Sequence, residues 1–530
     1  MKYEHRQYQA DATSRMVEFL LAQARAKKPR NGIVYVPTGG GKSKILGDAS
    51  VELVRHAQGA PVIVTQPSVE ILEQNKAKIE EYGFRCGVMS AAMGRRDMGD
   101  VTLCTIGTIF RHPEWFDGFG FGIADECHMV NAKDNSKVVV AGEDNEFYHK
   151  EHGLVRELKN QQSIPKGKVL VMTEEGKEQI IPRPKKSMYK SFMEEVPHMR
   201  WCGLTASPYR RHSDQWGTQL HMLTRTRPTL FHEFVHYTQN RELFDAGYLA
   251  KLRYRIVEGF KPSLIAPNSI GAEYDEKALQ MHLWELNWQT KAGTKVDFKD
   301  KLTEVAEGVL SCGRKRVIVF TSTIAESERL AQNLGGECAV ITGDTDKDWR
   351  RDTVADFKAG RLPVLSNVGV FIHGLDVPEI DCVIDAAPTM SLARWYQKLG
   401  RGVRKADGKE DCWIIDMVEG VRTFGKIEDL TLYCDGERKW NVYGRPGGGA
   451  EKCLTHIYLS GGVRGLCPKC RKPKVMAWYE KTKKWLPLSA REHGNVIIKE
   501  TETKKKVCEF VKRGEGTHVF HSIICKKESS

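Results

Sequence analysis

Six short apolar runs, each followed by a helical pattern, place the strongest constraint on how this chain can fold. They form two series, Ile33–Val36, Val62–Thr65 and Val101–Cys104, then Val317–Phe320, Val364–Asn367 and Cys382–Asp385. Strands that alternate with helices favour parallel sheets with helices on both faces. Because there are two series, we expect an α/β protein with two such domains, covering residues 1–235 and 236–445.

The composition agrees with a multidomain globular chain. Hydrophobic residues make up 41% and charged residues 28% of the 530 positions, which argues against bulk disorder. No apolar run approaches the ~20 residues of a membrane span, and the first residues lack the apolar core of a signal peptide. We therefore expect a cytoplasmic protein without a membrane partner. Its 14 cysteines are then expected to be thiols or metal ligands rather than disulfides.

A glycine-rich loop follows the first apolar run and opens a helical pattern. The residues are Pro37, Thr38, Gly39, Gly40, Gly41, Lys42 and Ser43. Glycines let backbone N–H groups approach phosphate oxygens, and a helix N-terminus favours negative charge. Lys42 would reach the β/γ-phosphates of ATP and Ser43 would hold Mg²⁺. The strict motif requires Gly where this chain has Val36, so the strand-loop-helix context carries the prediction.

An acidic pair, Asp125 and Glu126, ends the apolar stretch Phe121–Ala124. The carboxyl end of a buried strand is where nucleotide chemistry lies in an open α/β sheet. Downstream of a phosphate loop, Asp125 is expected to hold Mg²⁺. Glu126 is expected to orient and deprotonate the attacking water.

With these motifs the chain resembles superfamily 2 helicases and translocases of the DEAD/DEAH type, with the box Asp125-Glu126-Cys127-His128. The resemblance covers about residues 1–430 and implies two tandem RecA-like domains. Arg6 and Gln9 are similar to the adenine-binding Q motif. The resemblance implies nucleic-acid contacts in the first domain at Gln66, Pro67, Thr105 and Thr108. Its coupling residues, which link hydrolysis to domain movement, would be His128, Thr205, Ala206 and Ser207.

The resemblance continues in the second domain. It implies nucleic-acid contacts at Thr321, Ser322, Thr342 and Gly343, and nucleotide contacts at Gly374 and Asp376. Val368 stands where the family usually has Thr upstream of Gly374. Gln397, Arg401 and Arg404 are similar to the family's last catalytic motif. At i and i+3 on one helix face, the two arginines could present donors to a γ-phosphate, with Arg404 as the arginine finger and Arg401 in support.

Within the superfamily, the chain is similar to RadD-like bacterial DNA repair helicases and their phage-encoded homologues. The stretches Asp245–Leu249, Ile341–Thr345, Trp395–Gly402 and Gly408–Cys412 carry this likeness. It implies an ATP-dependent DNA helicase or translocase in repair, recombination or replication, in a bacterial cell or a phage-infected host. The partner would be single-stranded, forked or branched DNA. An RNA helicase, a restriction-type translocase and a nucleotide-gated DNA-binding protein without unwinding stay open as alternatives.

A polar insertion is expected at about residues 131–200, between His128 and Thr205. It contains the apolar runs Lys168–Met172 and Glu178–Ile181 around a Gly-containing turn, which predicts a β-hairpin. The hairpin could act as a strand-separating wedge or as a clamp, or it could be a surface embellishment.

The C-terminal residues 446–530 are predicted to form a small basic zinc module. From residue 451 onward there are 18 Lys and Arg against 8 Asp and Glu, a net +10 of the chain's +13, which suggests nucleic-acid binding. Paired spacing predicts a structural Zn²⁺ site at Cys453, His456, Cys467 and Cys470. A second set, Cys508, His518, His521 and Cys525, has irregular spacing. Trp478 and Trp485 could stack on bases or form the module's own core.

Overall fold

The computed structural model describes residues 6–57, 59–130, 146–149, 153–158, 168–173, 175–182, 187–214, 217–226, 228–268, 273–286, 288–289, 295–372, 374–434, 440–454, 476–479, 484–487, 496–500, 506–512 and 515–521. Among these residues, no helix combines the length and apolar character that a membrane crossing requires.

The described residues up to 237 form one eight-stranded sheet with helices between its strands, a four-stranded sheet and a two-stranded hairpin. In chain order they form α1 (Gln7–Ala24), β1 (Gly32–Tyr35), α2 (Lys42–His56), β2 (Val62–Thr65), α3 (Val69–Glu80), β3 (Cys86–Ser90), β4 (Arg95–Asp97), β5 (Val101–Cys104), α4 (Ile106–Ile109), β6 (Phe121–Asp125), β7 (Glu146–His149), β8 (Gly153–Glu157), β9 (Lys168–Thr173), β10 (Glu178–Pro182), α5 (Met188–Glu195), β11 (Arg200–Thr205), β12 (Tyr209–Asp214), β13 (Gly217–Met222) and β14 (Glu233–Tyr237).

A second sheet and several small β-structures follow. In chain order these residues form α6 (Asn240–Asp245), β15 (Lys251–Ile256), α7 (Glu276–Glu285), β16 (Trp288–Gln289), β17 (Lys295–Val296), α8 (Phe298–Ser311), β18 (Val317–Thr321), α9 (Ile324–Leu334), β19 (Cys338–Ile341), α10 (Lys347–Ala359), β20 (Val364–Asn367), β21 (Cys382–Ala386), α11 (Leu392–Leu399), β22 (Asp411–Asp416), α12 (Gly420–Phe424), β23 (Thr431–Cys434), β24 (Trp440–Gly444), β25 (Lys452–Cys453), β26 (Met476–Tyr479), β27 (Lys484–Pro487), β28 (Val496–Glu500), β29 (Lys506–Lys512) and β30 (Glu515–His521).

By its internal contacts the chain divides into two units. The first comprises Met1–Tyr35, Gly41–Pro208 and Leu223–Tyr237. The second comprises Val36–Gly40, Tyr209–Met222 and Thr238–Ser530, so the hairpin β12–β13 belongs to it although it lies early in the chain.

The sheet of the first unit has the order β14-β1-β11-β6-β2-β5-β3-β4. Its pairings are parallel except for β3 with β4. The strands β1, β2, β5 and β6 are buried at every position, which explains why they read as continuous apolar runs. Because β1, β11 and β6 are neighbours, the ends of these strands meet at one edge of the sheet, with Tyr35 opposite Thr205 and Leu204 opposite Asp125.

The sheet of the second unit has the order β15-β22-β21-β18-β20-β19 and is parallel throughout. Leu302, Ala306 and Val309 of α8 pack with Leu330 of α9 into a core against this sheet. A capping box of Thr323 and Glu326 begins α9. The two parallel sheets expected from the sequence, and each of the six strands it placed, are thus present.

The predicted hairpin is confirmed, since β9 and β10 pair antiparallel with Met172 opposite Glu178. It does not stand alone, because β8 pairs with β9 and β7 pairs with β8 to give a four-stranded sheet. At the end of the predicted insertion, Phe192 of α5 is fully buried in a core cluster with Trp201 of β11. This helix is therefore part of the first unit's own packing.

The described residues of the C-terminal part form small antiparallel sheets. Strand β25 pairs with β24 across the glycine-rich stretch at residues 446–450, so the chain returns to the strand that precedes that stretch. Strands β26 and β27 pair with Trp478 opposite Trp485. Strands β28, β29 and β30 form a separate three-stranded sheet.

Candidate nucleotide and nucleic-acid site

The loop between β1 and α2 is shaped by its glycines. Gly39 and Gly41 have φ values of 75° and 80°, in the left-handed region that side chains disfavour. A Cβ atom on Gly41 would lie 2.3 Å from Nε2 of the buried Gln9 on α1. The helix α2 then begins at Lys42, with Gly41 as its N-cap residue. This arrangement directs a helix N-terminus and a close backbone turn toward the sheet edge, which suits an anion.

Lys42 forms an ion pair with Glu126, the second residue of the acidic pair. Its Nζ lies 3.1 Å from Oε1 of Glu126, and both side chains are largely buried. The backbone N–H of Glu126 donates to Oδ1 of Asp125 at 2.9 Å. Glu126 has φ 45°, one of two non-glycine residues with positive φ among those described. A strained backbone at such a position is typical of a functional site.

Burial raises the pKa of Asp125 to about 7, with a further contribution from the charge of Glu126, while Lys42 acts in the opposite direction. A buried carboxylate that ionises with difficulty is a group that a bound cation would stabilise. Asp125 is therefore suited to hold a metal ion, and Ser43 lies at the start of the neighbouring helix α2.

A line of polar contacts leads from Glu126 to the end of β11. His128 Nδ1 lies 3.3 Å from Oε2 of Glu126 and 2.9 Å from Oγ1 of Thr205. The same Thr205 hydroxyl accepts a hydrogen bond from the backbone N–H of Ser207 at 3.0 Å. The structure thus brings together the residues predicted to act in coupling, because β6 and β11 are adjacent strands; Ala206 lies between Thr205 and Ser207 and is buried.

The other predicted first-unit residues lie in loops after neighbouring strands or at a helix start. Gln66 and Pro67 follow β2, and Gln66 is 1% exposed, with a side-chain amide that has no hydrogen-bond partner among the described residues. The hydroxyls of Thr105 and Thr108 lie 2.9 Å apart after β5. Arg6 is the N-cap residue of α1 and donates to the Tyr8 hydroxyl at 3.4 Å.

In the second unit the predicted strand contacts sit at the carboxyl ends of β18 and β19. Thr321 is buried, and its hydroxyl lies 2.7 Å from that of Ser327. The backbone N–H of Ser322 donates to Glu326 at 2.9 Å. Arg350 on α10 donates to the carbonyl oxygens of Thr342 and Gly343 at 3.0 and 3.4 Å. Arg350 was missed from the sequence, because a lone arginine on a helix carries no motif signal.

The two predicted catalytic arginines are placed differently from expectation. The helix α11 ends at Leu399, so Arg401 and Arg404 lie beyond it and do not share a helix face. The physical reason is that the chain turns tightly at the end of α11. The backbone N–H of Arg401 donates to the Lys398 carbonyl oxygen and that of Gly402 to the Leu399 carbonyl oxygen, so the helix does not continue. The expectation of an i, i+3 helical pair was wrong.

A shared acceptor brings the two arginines together instead. The carbonyl oxygen of Leu375 accepts from Nη1 of Arg401 and from Nη1 of Arg404, both at 2.9 Å. Arg404 Nη1 also lies 2.7 Å from Oδ1 of Asp376. Gln397 is buried, and its side-chain oxygen accepts from Arg401 at 3.5 Å. Gly374, with φ 83°, directly precedes Leu375 and Asp376 in the chain.

A buried ion pair anchors α11, and sequence reasoning did not find it. Lys398 Nζ contacts Oδ1 of Asp385 at the end of β21 and donates to the Ala387 carbonyl at 2.6 Å. The side chains of Lys398 and Asp385 are 3% and 1% exposed. No sequence signal marks this pair, because Lys398 reads as one more basic residue of a basic motif.

The predicted zinc site falls mostly outside the described residues. Cys453 ends β25, whereas His456, Cys467 and Cys470 are not among the residues described. Of the second set, Cys508 lies on β29 and His518 and His521 on β30, while Cys525 is not described. Within the described part of the chain, no group of three or more His, Cys, Asp or Glu could hold a metal ion. Zinc binding stays a prediction.

Two family models match most of the motif-bearing sequence. The one described as "Type III restriction enzyme, res subunit" matches residues 2–210. The one described as "Helicase conserved C-terminal domain" matches residues 300–406. Between them they include the phosphate loop, the acidic pair and the arginines Arg401 and Arg404.

Individual relatives match to different extents. IRC3 of Saccharomyces cerevisiae, provisionally named an ATP-dependent helicase, is 36% identical over 104 residues, which is 20% of this chain and 15% of IRC3. The chain thus spans a small part of that relative's length. The DNA 3'-5' translocase XPB2 of Sulfurisphaera tokodaii is 22% identical over 421 residues, which is 79% of this chain and 82% of XPB2. Other matches are named as RNA helicases.

Among solved structures, a fragment assigned to the HsdR subunit of a type I restriction enzyme from Vibrio vulnificus has a similar fold. The TM-score is 0.50 at 16% identity, over 80% of this chain and 66% of that one. At this identity the likeness concerns the fold alone.

Proposed function

Because the chain belongs to superfamily 2 of the DEAD/DEAH-type helicases, we propose that it is an ATP-dependent DNA helicase or translocase. It would hydrolyse Mg–ATP and use that energy to move along DNA, or to unwind or remodel it. The observation that carries the proposal is the line of contacts from Lys42 through Glu126 and His128 to Thr205. It joins a phosphate loop, a carboxylate base and a strand end in one hydrogen-bonded group.

The glycine-rich loop, the acidic pair and the start of α1 fit Mg–ATP. Gly39 and Gly41 have positive φ, and a Cβ on Gly41 would clash with Gln9 at 2.3 Å, so the turn that would present backbone N–H groups to phosphate requires glycine. Asp125 is a buried carboxylate with a raised pKa, which a cation would relieve. Ser43 and Asp125 would therefore hold Mg²⁺. The backbone of Pro37–Gly41 and Lys42 would bind the phosphates, and Arg6 and Gln9 the base.

The same geometry supports a role for Glu126 in proton transfer. The Glu126 carboxylate is ion-paired with Lys42, the residue that follows the glycine loop, and would accept a proton from the attacking water. Phosphoryl transfer needs little covalent help from the protein, so positioning and charge stabilisation account for most of the rate. We assign the charge stabilisation to Arg404, supported by Arg401, Gln397 and Asp376, which are connected by hydrogen bonds through the Leu375 carbonyl in the second unit. Gly374, with φ 83°, would allow the turn that presents Leu375 and Asp376.

His128, Thr205, Ala206 and Ser207 would report the state of the nucleotide. His128 contacts both Glu126 and Thr205. If Glu126 exchanged Lys42 for another partner, the contact through His128 would therefore also alter Thr205, at the end of β11. That chain continues through Pro208 into the hairpin β12–β13, whose residues belong to the second unit. Covalent continuity thus links the hydrolysis site to the other unit.

DNA is favoured as the substrate by two observations. The relative with the longest reported alignment, XPB2, is named as a DNA translocase, and one family model is described by a restriction enzyme subunit. Contacts at Gln66, Pro67, Thr105, Thr108, Thr321, Ser322, Thr342 and Gly343 would hold the backbone of one strand. The similarity to RadD-like enzymes supports a role in repair, recombination or replication.

RNA is the second candidate substrate, because some matches are named as RNA helicases. An unwinding assay on matched DNA and RNA forks, with Lys42→Ala as the inactive control, separates the two. We expect the DNA fork to be opened in an ATP-dependent manner. Opening of the RNA fork alone would overturn the DNA assignment, and opening of neither would limit the protein to translocation or remodelling.

The basic residues 451–530 would form a further nucleic-acid-binding module, with Zn²⁺ held by Cys453, His456, Cys467 and Cys470. The support is the net charge of +10 in these 80 residues and the paired ligand spacing. A structural zinc site would add to the stability of this segment, because the free energy of metal binding contributes to folding.

A further inference from the structure

Lys409 binds the backbone of the segment that carries the proposed arginine finger. Its Nζ donates to the carbonyl oxygens of Arg404 at 2.7 Å, Gly402 at 2.8 Å and Pro378 at 3.0 Å. An ammonium group has three N–H donors, so these three carbonyls account for its full donor capacity. Pro378 lies just beyond Asp376, the carboxylate that pairs with Arg404. The Lys409 side chain thus links the segment at Gly402 and Arg404 to the segment at Asp376 and Pro378. The contact between these two segments sets the position of the Arg404 guanidinium.

The other described contacts of this segment fall on Val403, whose side chain is fully buried, and on Ala406, whose carbonyl oxygen accepts from the Lys409 N–H at 3.2 Å. Residues 403–406 have no regular secondary structure. The Val403 carbonyl accepts from the Ala250 N–H at 2.8 Å, and the remaining described contacts of Arg404 go through its own side chain. Burial lowers the pKa of Lys409 from its usual range, in keeping with an ammonium surrounded by protein rather than by solvent.

We propose that Lys409 is a positioning residue for Arg404. It would hold the backbone at Gly402 and Arg404 against the turn at Leu375–Pro378, so that the guanidinium is presented in one orientation. This inference rests on the proposed function, in which Arg404 stabilises charge during ATP hydrolysis. Loss of Lys409 would then act on the hydrolysis step and leave the binding of ATP and of DNA unchanged, because the Lys409 ammonium is engaged by three backbone carbonyls and is not among the residues assigned to either ligand.

The first test compares Lys409→Met, Lys409→Arg and the control Lys405→Met, which removes an exposed lysine of the same segment. Finger arginines are worth roughly 10³–10⁵ in rate, so a misplaced finger should cost Lys409→Met about 10–100-fold in DNA-stimulated kcat. The KM for ATP and the Kd for DNA should stay within about twofold. Lys409→Arg should fall between Lys409→Met and wild type, because a planar guanidinium cannot converge on three carbonyls. An unchanged kcat in Lys409→Met, or an equal loss in Lys405→Met, would overturn the proposal.

The second test is a double-mutant cycle with Arg404→Ala, with thermal unfolding confirming that each variant is folded. If Lys409 acts through Arg404, then Arg404→Ala/Lys409→Met should match Arg404→Ala in kcat within about twofold. If Lys409→Met lowers kcat in the Arg404→Ala background as much as in wild type, Lys409 has a general structural role and the proposal fails, while the finger assignment stands. Full stimulated activity in Arg404→Ala would refute the finger itself, and the positioning role with it. Should Lys409→Met not fold, Lys409→Arg enters the same cycle.

Discussion

Lys42 and Glu126 are joined by an ion pair, with Nζ 3.1 Å from Oε1, between the phosphate loop and the end of β6. The residue that would bind phosphate and the residue that would activate water are therefore paired with each other in this structure. A nucleotide phosphate would replace Glu126 as the partner of Lys42 and release the carboxylate for proton transfer. The pair would then act as a reversible link between binding and catalysis.

Replacing Glu126 by Gln should separate hydrolysis from binding. The amide cannot accept the proton, so the rate of ATP hydrolysis should fall by roughly 10²–10⁴-fold. Affinity for ATP should be equal or higher, because Lys42 no longer has to break an ion pair with Glu126 before it binds phosphate. Steady-state hydrolysis and nucleotide binding measure both effects. Glu175→Gln is the matched control, since Glu175 is exposed in the turn between β9 and β10; a similar loss there would exclude a specific role for Glu126.

Binding of Mg–nucleotide should depend on pH through Asp125. The folded pKa of about 7 means that a proton occupies this carboxylate below pH 7 and competes with the cation. Affinity should therefore fall by about tenfold between pH 8 and pH 6, since one group titrates in that window. In Asp125→Asn the affinity should be low and nearly independent of pH. Calorimetric binding at several pH values tests this, and an equal pH dependence in the variant would contradict it.

The Lys398–Asp385 pair should matter for stability. Lys398→Met leaves a carboxylate buried without its partner, which should cost about 3–5 kcal/mol of unfolding free energy. The double variant Lys398→Met/Asp385→Leu should recover most of that loss, because both buried charges are removed. Denaturant unfolding measures each value. Lys358→Met, on the exposed face of α10, serves as the control, and a comparable loss there would argue against a special role for the buried pair.

The sequence was sufficient for the architecture, because buried parallel strands such as Val62–Thr65 and Val364–Asn367 are continuous apolar runs with an unambiguous pattern. It also located the hairpin of β9 and β10, because the two paired strands are adjacent in the chain and joined by a short turn. It failed for Arg401 and Arg404, because spacing in the chain does not tell where a helix ends. Lys409 was beyond reach for a related reason: its partners are backbone carbonyls, which any residue provides.

Purified protein should contain about one equivalent of zinc. Replacing Cys467 and Cys470 together by Ser should abolish that content, because a tetrahedral site cannot form from two ligands. Cys312→Ser, at an exposed cysteine far from the predicted ligands in sequence, is the control. Elemental analysis decides the question, and less than about half an equivalent in the unmodified protein would count against the site.

Removal of residues 451–530 should weaken DNA binding and flatten its dependence on salt. Each lost phosphate contact should reduce the slope of log K against log salt by about 0.7–0.9. ATP binding should be unaffected, because none of the residues assigned to the nucleotide lies within 451–530, and Lys42, Asp125 and Glu126 lie in the first unit. Titrations at several salt concentrations test this, and an unchanged slope would show that the basic segment does not contact DNA.

The most direct test of the whole account is ATP hydrolysis measured with no nucleic acid, with single-stranded DNA and with RNA of the same sequence, for wild type and for Lys42→Ala. The account predicts that DNA stimulates hydrolysis by wild type well beyond RNA, and that Lys42→Ala is inactive under all three conditions. Hydrolysis that DNA does not stimulate, or that persists in Lys42→Ala, would contradict a DNA-driven motor built on this phosphate loop.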